Sequence, residues 1–316
     1  MKLIALLSLL VLTSAVHGGP LYPVEIGDRW GFVDKTGKLV VNPQFERAGT
    51  FSAGLAEVRL DRWGYVDTAG KVVINPQFDE SGAFSEGLAA VKLNRQYGYI
   101  GTDGKYIVNP QFDDAARFAE GRAAIKLGRV FGYIDKTGAI VINPQFQGAG
   151  EFSGGLAAIK LGKGFGYIDP AGKIVINPQF EDADVFSENL AGVEQGDRWG
   201  FIGKDGKFVI NPQFDAVRVF VKGLAPVRLG KVWGYVDAAG KFIINPQFED
   251  ADKFSEGLAR VRVGGRWGFI GKDGKFVINP QFDEAANFHD GLARVKLGRK
   301  MGYVDPAGKY VWNPTN

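Results

Sequence analysis

The sequence predicts an all-β repeat protein: nine three-stranded antiparallel meanders on a 34-residue period, stacked as an open β-solenoid or superhelix, with a closed β-propeller-like ring as the alternative. Three observations carry this expectation. An aromatic-Gly pair at Trp30-Gly31 returns at Trp63, Tyr97, Phe131, Phe165, Trp199, Trp233 and Trp267 and ends as Met301-Gly302, with one spacing of 33 and seven of 34. The tetrapeptide NPQF keeps step from Asn42 to Asn279 and breaks at Asn313-Pro314. The residues before each aromatic alternate apolar and polar, as a half-buried strand does. A fixed period in this range marks an architecture in which each unit buries its faces on its neighbours.

In chain order, Met1 to about Gly18 reads as a secretory signal peptide. Lys2 supplies the positive start, Leu3 to Leu12 the short apolar run, and Val16-His17-Gly18 the cleavage site. The run is too short for a membrane span and no other candidate follows. The expected product is exported, periplasmic or secreted after cleavage near Gly18, with residues 19–316 as one array and no transmembrane segment. Cysteine is absent, which excludes thiol catalysis and thiolate metal sites and leaves the core to hold the fold.

Within one unit, Leu55 to Leu60 alternates, with Ala56, Val58 and Leu60 on one face and Glu57 and Arg59 on the other. Trp63 to Asp67 is a second strand. Asp67-Thr68-Ala69-Gly70 is a hairpin turn, since Asp bonds turn backbone and Gly takes positive φ cheaply. Lys71 to Asn75 is the third strand, with Pro76 expected to stop it and Asn75 to close it by side-chain bonding to backbone. Three consecutive apolar residues, Val72, Val73 and Ile74, predict that both faces are at least partly buried. The connector that follows places apolar residues at i, i+3 and i+6 (Phe248, Ala251, Phe254), which suggests a helical turn whose aromatics pack between sheets, with an irregular loop as the near alternative. Val24 to Ile26 completes the first meander and Lys309 to Trp312 the last. All nine units are whole, with none split between the termini, and that favours the open array over a ring.

These residues resemble the WG-repeat, or KWG-repeat, family of bacterial proteins, whose hallmark is the aromatic-Gly strand, the D-x-x-G-K turn and a following N-P-x-F. The match runs from about Leu21 to Asn316. The resemblance implies a β-rich repeat array, often exported, and carries over no catalytic residues. Tyr97, Phe131, Phe165 and Met301 depart from the Trp of the hallmark but keep its bulk, which suits packing.

For chemistry the repeat offers little. Apart from His17 in the leader, His289 is the sole histidine, and paired acids such as Asp113-Asp114 and Glu249-Asp250 recur in near-identical surroundings, as a solvated face does. No catalytic, metal or cofactor residues are expected, so the chain reads as a non-enzyme. The net charge of +3 is too small and too spread to imply nucleic acid. Arg59, Lys92, Lys126, Lys160, Arg228, Arg262 and Lys296 share one strand position, interrupted by Glu194, and form a candidate binding ladder for a polyanion. A second lysine row follows the turn, from Lys38 to Lys309. Trp30, Trp63, Tyr97, Trp199, Trp233 and Trp267 are secondary candidates, because exposed rings stack on sugars, although repetition in every unit favours core packing. The expected function is a non-catalytic exported scaffold binding an envelope or extracellular polysaccharide or protein. The alternatives are an envelope assembly component and, less favoured, a carbohydrate-active enzyme.

Overall fold

The computed structural model describes residues 19–315. It contains nine small antiparallel sheets arranged in a ring, a nine-bladed β-propeller, and the expected open solenoid is thereby corrected. The signal-peptide segment expected at residues 1–18 lies outside the described residues. No helix among those described is long and apolar enough to cross a membrane.

Blade 1 has three strands, Leu21–Ile26, Arg29–Asp34 and Leu39–Phe45. Each of the other eight has four, where three were expected. In blade 2 these are a two-residue lead strand (Arg47–Ala48), a base strand (Leu55–Arg59), an aromatic strand (Trp63–Asp67) and an NPQF strand (Val72–Phe78), in that spatial order. The lead strand comes from the connector, so the predicted helical turn is absent. After the lead strand, the chain reverses through Ala53 and Gly54, both at positive φ, into a bridge between Ser52 and Leu55. The apolar spacing that suggested a helix serves instead to place one Phe per connector between sheets. Blades 3 to 9 start at Glu80, Asp114, Gly148, Asp182, Ala216, Asp250 and Glu284.

Paired motifs in the repeat have one steric cause. The NPQF strand runs through Pro76 to Phe78 rather than stopping, because it bulges. Trp63 pairs with Phe78 and Tyr65 with Ile74, so two steps on one strand match four on the other. The bulged backbone lies over Gly64, where a Cβ would stand 2.5 Å from Ile74 O and 2.7 Å from Pro76 N. Gly in the aromatic pair and Pro in NPQF are therefore two sides of one contact. Asn75 does not close the strand; its carbonyl accepts from Gln77 Nε2 at 3.3 Å. One face of this strand is buried and the other only partly covered: Ile74 is 3% exposed and Val73 44%. As an edge strand it withholds one N–H at each Pro, which discourages pairing with another chain.

Blades join through a recurring aromatic contact. Tyr65 packs on Phe84 of the next connector at 4.9 Å between centroids, and its hydroxyl donates to Gly82 O at 2.8 Å. Tyr99, Tyr133, Tyr167 and Tyr235 donate in the same way to Ala116, Gly150, Asp184 and Asp252. Ser52 adds a hydroxyl bond to Phe84 O at 2.6 Å.

The ring closes without a shared blade. Blade 1 lacks a lead strand and connector among the described residues, so no connector Phe meets Tyr303. Tyr22 fills that place, in the position that blades 2 to 9 give to Ala56, Ala89, Ala123, Ala157, Ala191, Ala225, Ala259 and Ala293. Its ring lies 5.5 Å from Tyr303, its hydroxyl donates to Asp290 O at 2.5 Å, and Tyr303 donates to Pro23 O at 2.8 Å. Val24, Val33 and Leu292 complete the cluster. Counting whole units misled because closure here is a side-chain contact between blades, which leaves every unit intact.

Candidate binding face

Strand register lines up one row across each blade. In blade 3, Glu80 on the lead strand faces Lys92 on the base strand, which faces Tyr97, which faces buried Phe112. The seven ladder residues occupy the base-strand position of blades 2, 3, 4, 5, 7, 8 and 9, so the ladder is an interrupted circle rather than the straight file of a stacked array. Its cations are partly engaged at home. Lys92 lies 5.0 Å from the Tyr97 ring centre, Lys126 5.3 Å from Phe131, Lys160 5.2 Å from Phe165 and Arg228 5.8 Å from Trp233. Lys92 and Lys296 also pair with Glu80 and Glu284 at 2.7 and 2.8 Å, and Arg59 and Arg262 lie 3.6 and 3.8 Å from Glu46 and Glu249. Lys126 and Lys160 form no ion pair among the described residues, and Lys160 has Gly148 opposite it instead of an acid.

The aromatic candidates pack against the blade. Trp30 and Trp233 are 8% exposed, and Trp63, Tyr97, Trp199 and Trp267 are half-buried. Basic side chains lie over three of these rings, at Tyr97, Trp233 and Trp267.

The paired acids have local duties. The first of each pair accepts from the backbone between the base and aromatic strands: Asp79 from Asn94 N–H, Asp113 from Gly128, Glu181 from Gly196 and Asp283 from Gly298; Asp215, which precedes Ala216 rather than a second acid, does the same from Gly230. The second, as Glu80 or Glu284, meets the ladder. Both turn forms make turn bonds, Gly70 N–H to Asp67 O and Gly104 N–H to Gly101 O. The lysine row after those turns is solvated; Lys105, Lys207 and Lys275 side chains are 83, 84 and 85% exposed. His289 replaces the connector Ser, and its side chain, 71% exposed, lies 3.6 Å from Asp290.

A charged network escaped sequence reasoning because it sits where the repeats differ. One row pairs the backbone of Gly82 with Ala90, Ala116 with Ala124, and Gly150 with Ala158, all small. In later blades the same row holds Asp184, Arg218, Asp252 with Arg260, and Arg294. Arg218 reaches Asp250 at 2.9 Å and Asp252 at 3.3 Å, across a blade boundary. Arg260 binds Asp252 Oδ2 at 2.7 and 3.0 Å, donates to Ala285 O of blade 9, and lies 4.9 Å over Trp267. Burial opposes ionisation of Asp252, yet the hydrogen bonds from Arg260 and the Lys253 backbone, with the charges of Arg260 and Arg218, hold its carboxyl below the usual range. Asp184 has no such cation: burial, then the neighbouring Asp182, push it up to about 6. Glu57, half-buried in blade 2, is raised by desolvation, and its Oε2 has no hydrogen-bond partner among the described residues. The readable signal was the run of Gly and Ala giving way to charge at one register position.

A cavity of about 470 Å³ opens beside this network at the ring junction. Arg260, Arg294, Lys296 and Arg299 line it with Glu25 and Glu284, over Trp267 and Met301.

The family model for WG-containing repeats matches eight successive segments between residues 30 and 300, namely 30–62, 63–96, 97–129, 131–164, 165–199, 199–233, 233–267 and 267–300. No curated protein matches the sequence. Among solved structures, the chain is similar to a eukaryotic initiation factor at 11% identity and a TM-score of 0.68, covering 94% of this chain and 96% of that one. It is also similar to the dihydro-heme d1 dehydrogenase NirN (14% identity, TM-score 0.48, 94% and 73% covered) and to Hsv2p of Kluyveromyces lactis (10%, 0.47, 72% and 92%). At these identities the likeness concerns fold alone, and only the first similarity is close enough to support it.

Proposed function

Because the chain belongs to the family of WG-containing repeats, we propose that it is a non-catalytic binding ring that presents its circle of cations and rings to an anionic polymer. The observation that carries this reading is the arc of blades 3 to 5. There Lys92, Lys126 and Lys160 lie over Tyr97, Phe131 and Phe165 on successive blades; Lys126, although Asp114 stands opposite it, and Lys160, opposite Gly148, form no ion pair among the described residues. A repeated surface is the usual functional product of such arrays, and repeated charge suits a repeated ligand. Apart from Asp184 and Glu57, which sit on separate blades, the carboxylates described above are committed to backbone, turn and ion-pair contacts, which favours binding over acid–base chemistry. The proposed setting is the cell envelope or exterior, on the strength of the leader-like opening segment.

The test is binding of the purified protein to an acidic polysaccharide at low and moderate salt. Saturable binding that weakens with salt, and falls roughly tenfold or more when Lys92, Lys126 and Lys160 are changed together to Gln, is the expected result. Equal binding by that variant would remove the arc from the account.

A further inference from the structure

We propose a second site, independent of the polymer-binding arc: blade 6 binds the guanidinium group of a ligand, with Asp184, Asp182 and Glu194 meeting its charge and Trp199 its flat face.

The protein carries its own example of such binding. In blade 8 the Arg260 guanidinium lies over Trp267, binds Asp252 Oδ2 at 2.7 and 3.0 Å and donates to Ala285 O, while Arg218 arrives from blade 7 on Asp250 and Asp252. Two periods earlier, blade 6 keeps the receiving side: Asp184 stands for Asp252, Asp182 for Asp250 and Trp199 for Trp267. Both arginines become glycine, Gly192 for Arg260 and Gly150 for Arg218, and the ladder cation Arg262 becomes Glu194. Register sets Asp182 opposite Glu194, and Glu194 opposite Trp199. The charges that bear on Asp184 and Glu194 are all acidic: Asp182 on the first, and Glu181, Asp182 and Asp197 on the second.

Carboxylate and indole border one place. A Cβ at Gly192 would stand 3.3 Å from Asp184 Oδ2 and 3.6 Å from Trp199 Cε3. It would also stand 2.6 Å from Val217 Cγ2. Val217 replaces the Ala or Ser that the other lead strands carry at that position, and its methyl takes the room of an arginine's stem. The chain therefore cannot supply this cation from position 192 as it does from Arg260. The partners of the head group stay accessible: Asp184, Glu194 and Trp199 are half-buried and Asp182 is exposed. Burial, then Asp182, push Asp184 up to about 6, whereas Asp252 with its arginines is held below the usual range. A bound guanidinium would remove that difference. Guanidinium suits the site better than ammonium, because it pairs with a carboxylate through two N–H donors and stacks flat on an indole.

The probe is N-acetyl-arginine amide, titrated into the isotope-labelled protein and followed by NMR through the indole N–H signals of its six tryptophans, with that of Trp199 assigned from Trp199→Phe. We expect a saturable shift of the Trp199 signal, with affinity lower by roughly tenfold or more for Asp184→Asn and for the lysine counterpart of the probe. Asp61→Asn, which removes an exposed acid on blade 2, should bind as the parent does. Val217→Ala should keep binding, whereas Gly192→Arg combined with Val217→Ala, which gives blade 6 its own arginine, should abolish it. Tighter binding of an arginine placed within a short glycine peptide would assign the ligand to a partner chain, and equal binding would assign it to a free guanidinium compound. Equal affinity of Asp184→Asn, or no shift of the Trp199 signal, would overturn the site, and equal binding of the lysine probe would overturn the guanidinium assignment. The polymer reading fails separately, because its test depends on Lys92, Lys126 and Lys160, none of which takes part here.

Discussion

Replacing Tyr22 by Ala would give blade 1 the residue that the other eight blades carry at that position, and the structure predicts that this apparent normalisation is destructive. Ala suffices elsewhere because a connector Phe covers the neighbouring Tyr, as Phe84 covers Tyr65. At the closure no such Phe is present among the described residues. Tyr22 is 6% exposed and Tyr303 5%, and each hydroxyl bonds a backbone carbonyl across the junction. Tyr22→Ala removes a buried ring and its hydrogen bond and leaves Tyr303 with one face uncovered, a loss of about 4 kcal/mol. Tyr99→Phe, which deletes only the bond to Ala116 O, should cost about 1 kcal/mol. Urea unfolding followed by Trp fluorescence measures both. A loss under about 1 kcal/mol for Tyr22→Ala would refute the assignment of Tyr22 as the closing residue.

Two further predictions follow from buried contacts. Gly64→Ala drives a Cβ into the bulged backbone of Ile74 and Pro76 and should destabilise by about 3 kcal/mol in the same assay, because backbone cannot rotate away as a side chain can. Burial pushes Asp184 up to about 6 from the ordinary 3.8, so the folded state binds the proton more tightly than the unfolded chain. Stability then falls as pH rises from about 4 to about 6 and stays lower above that. Asp184→Asn should therefore stabilise by about 2 kcal/mol at pH 8 and confer no gain below about pH 4, as read from melting across pH.

The sequence made the unit legible and left the assembly open. Strand alternation located the base and aromatic strands, because burial on one face leaves a period of two. Pro76 misled, since a bulge lets an edge strand run through proline, and the cause was visible only once Gly64 lay beneath it. The helical spacing of the connector misled for a related reason: a Phe recurring at fixed distance records where rings pack, not which backbone carries them. Ring against solenoid turned on a rotation per blade that no residue encodes by itself. Tyr22 was the available clue, a large aromatic where Ala is the rule. The ladder was read correctly as one equivalent strand position, but its ring partners and ion pairs required the register. The Arg218–Asp252–Arg260 network was hidden because periodic residues drew the reading away from positions where the period fails.

Small-angle X-ray scattering on the purified protein tests closure most directly. The ring predicts a compact particle with a radius of gyration of about 19 Å for a chain of this length. Nine sheets stacked about 10 Å apart in an open array would instead extend toward roughly 90 Å, and a distance distribution reaching that far would contradict the ring and with it the junction cavity.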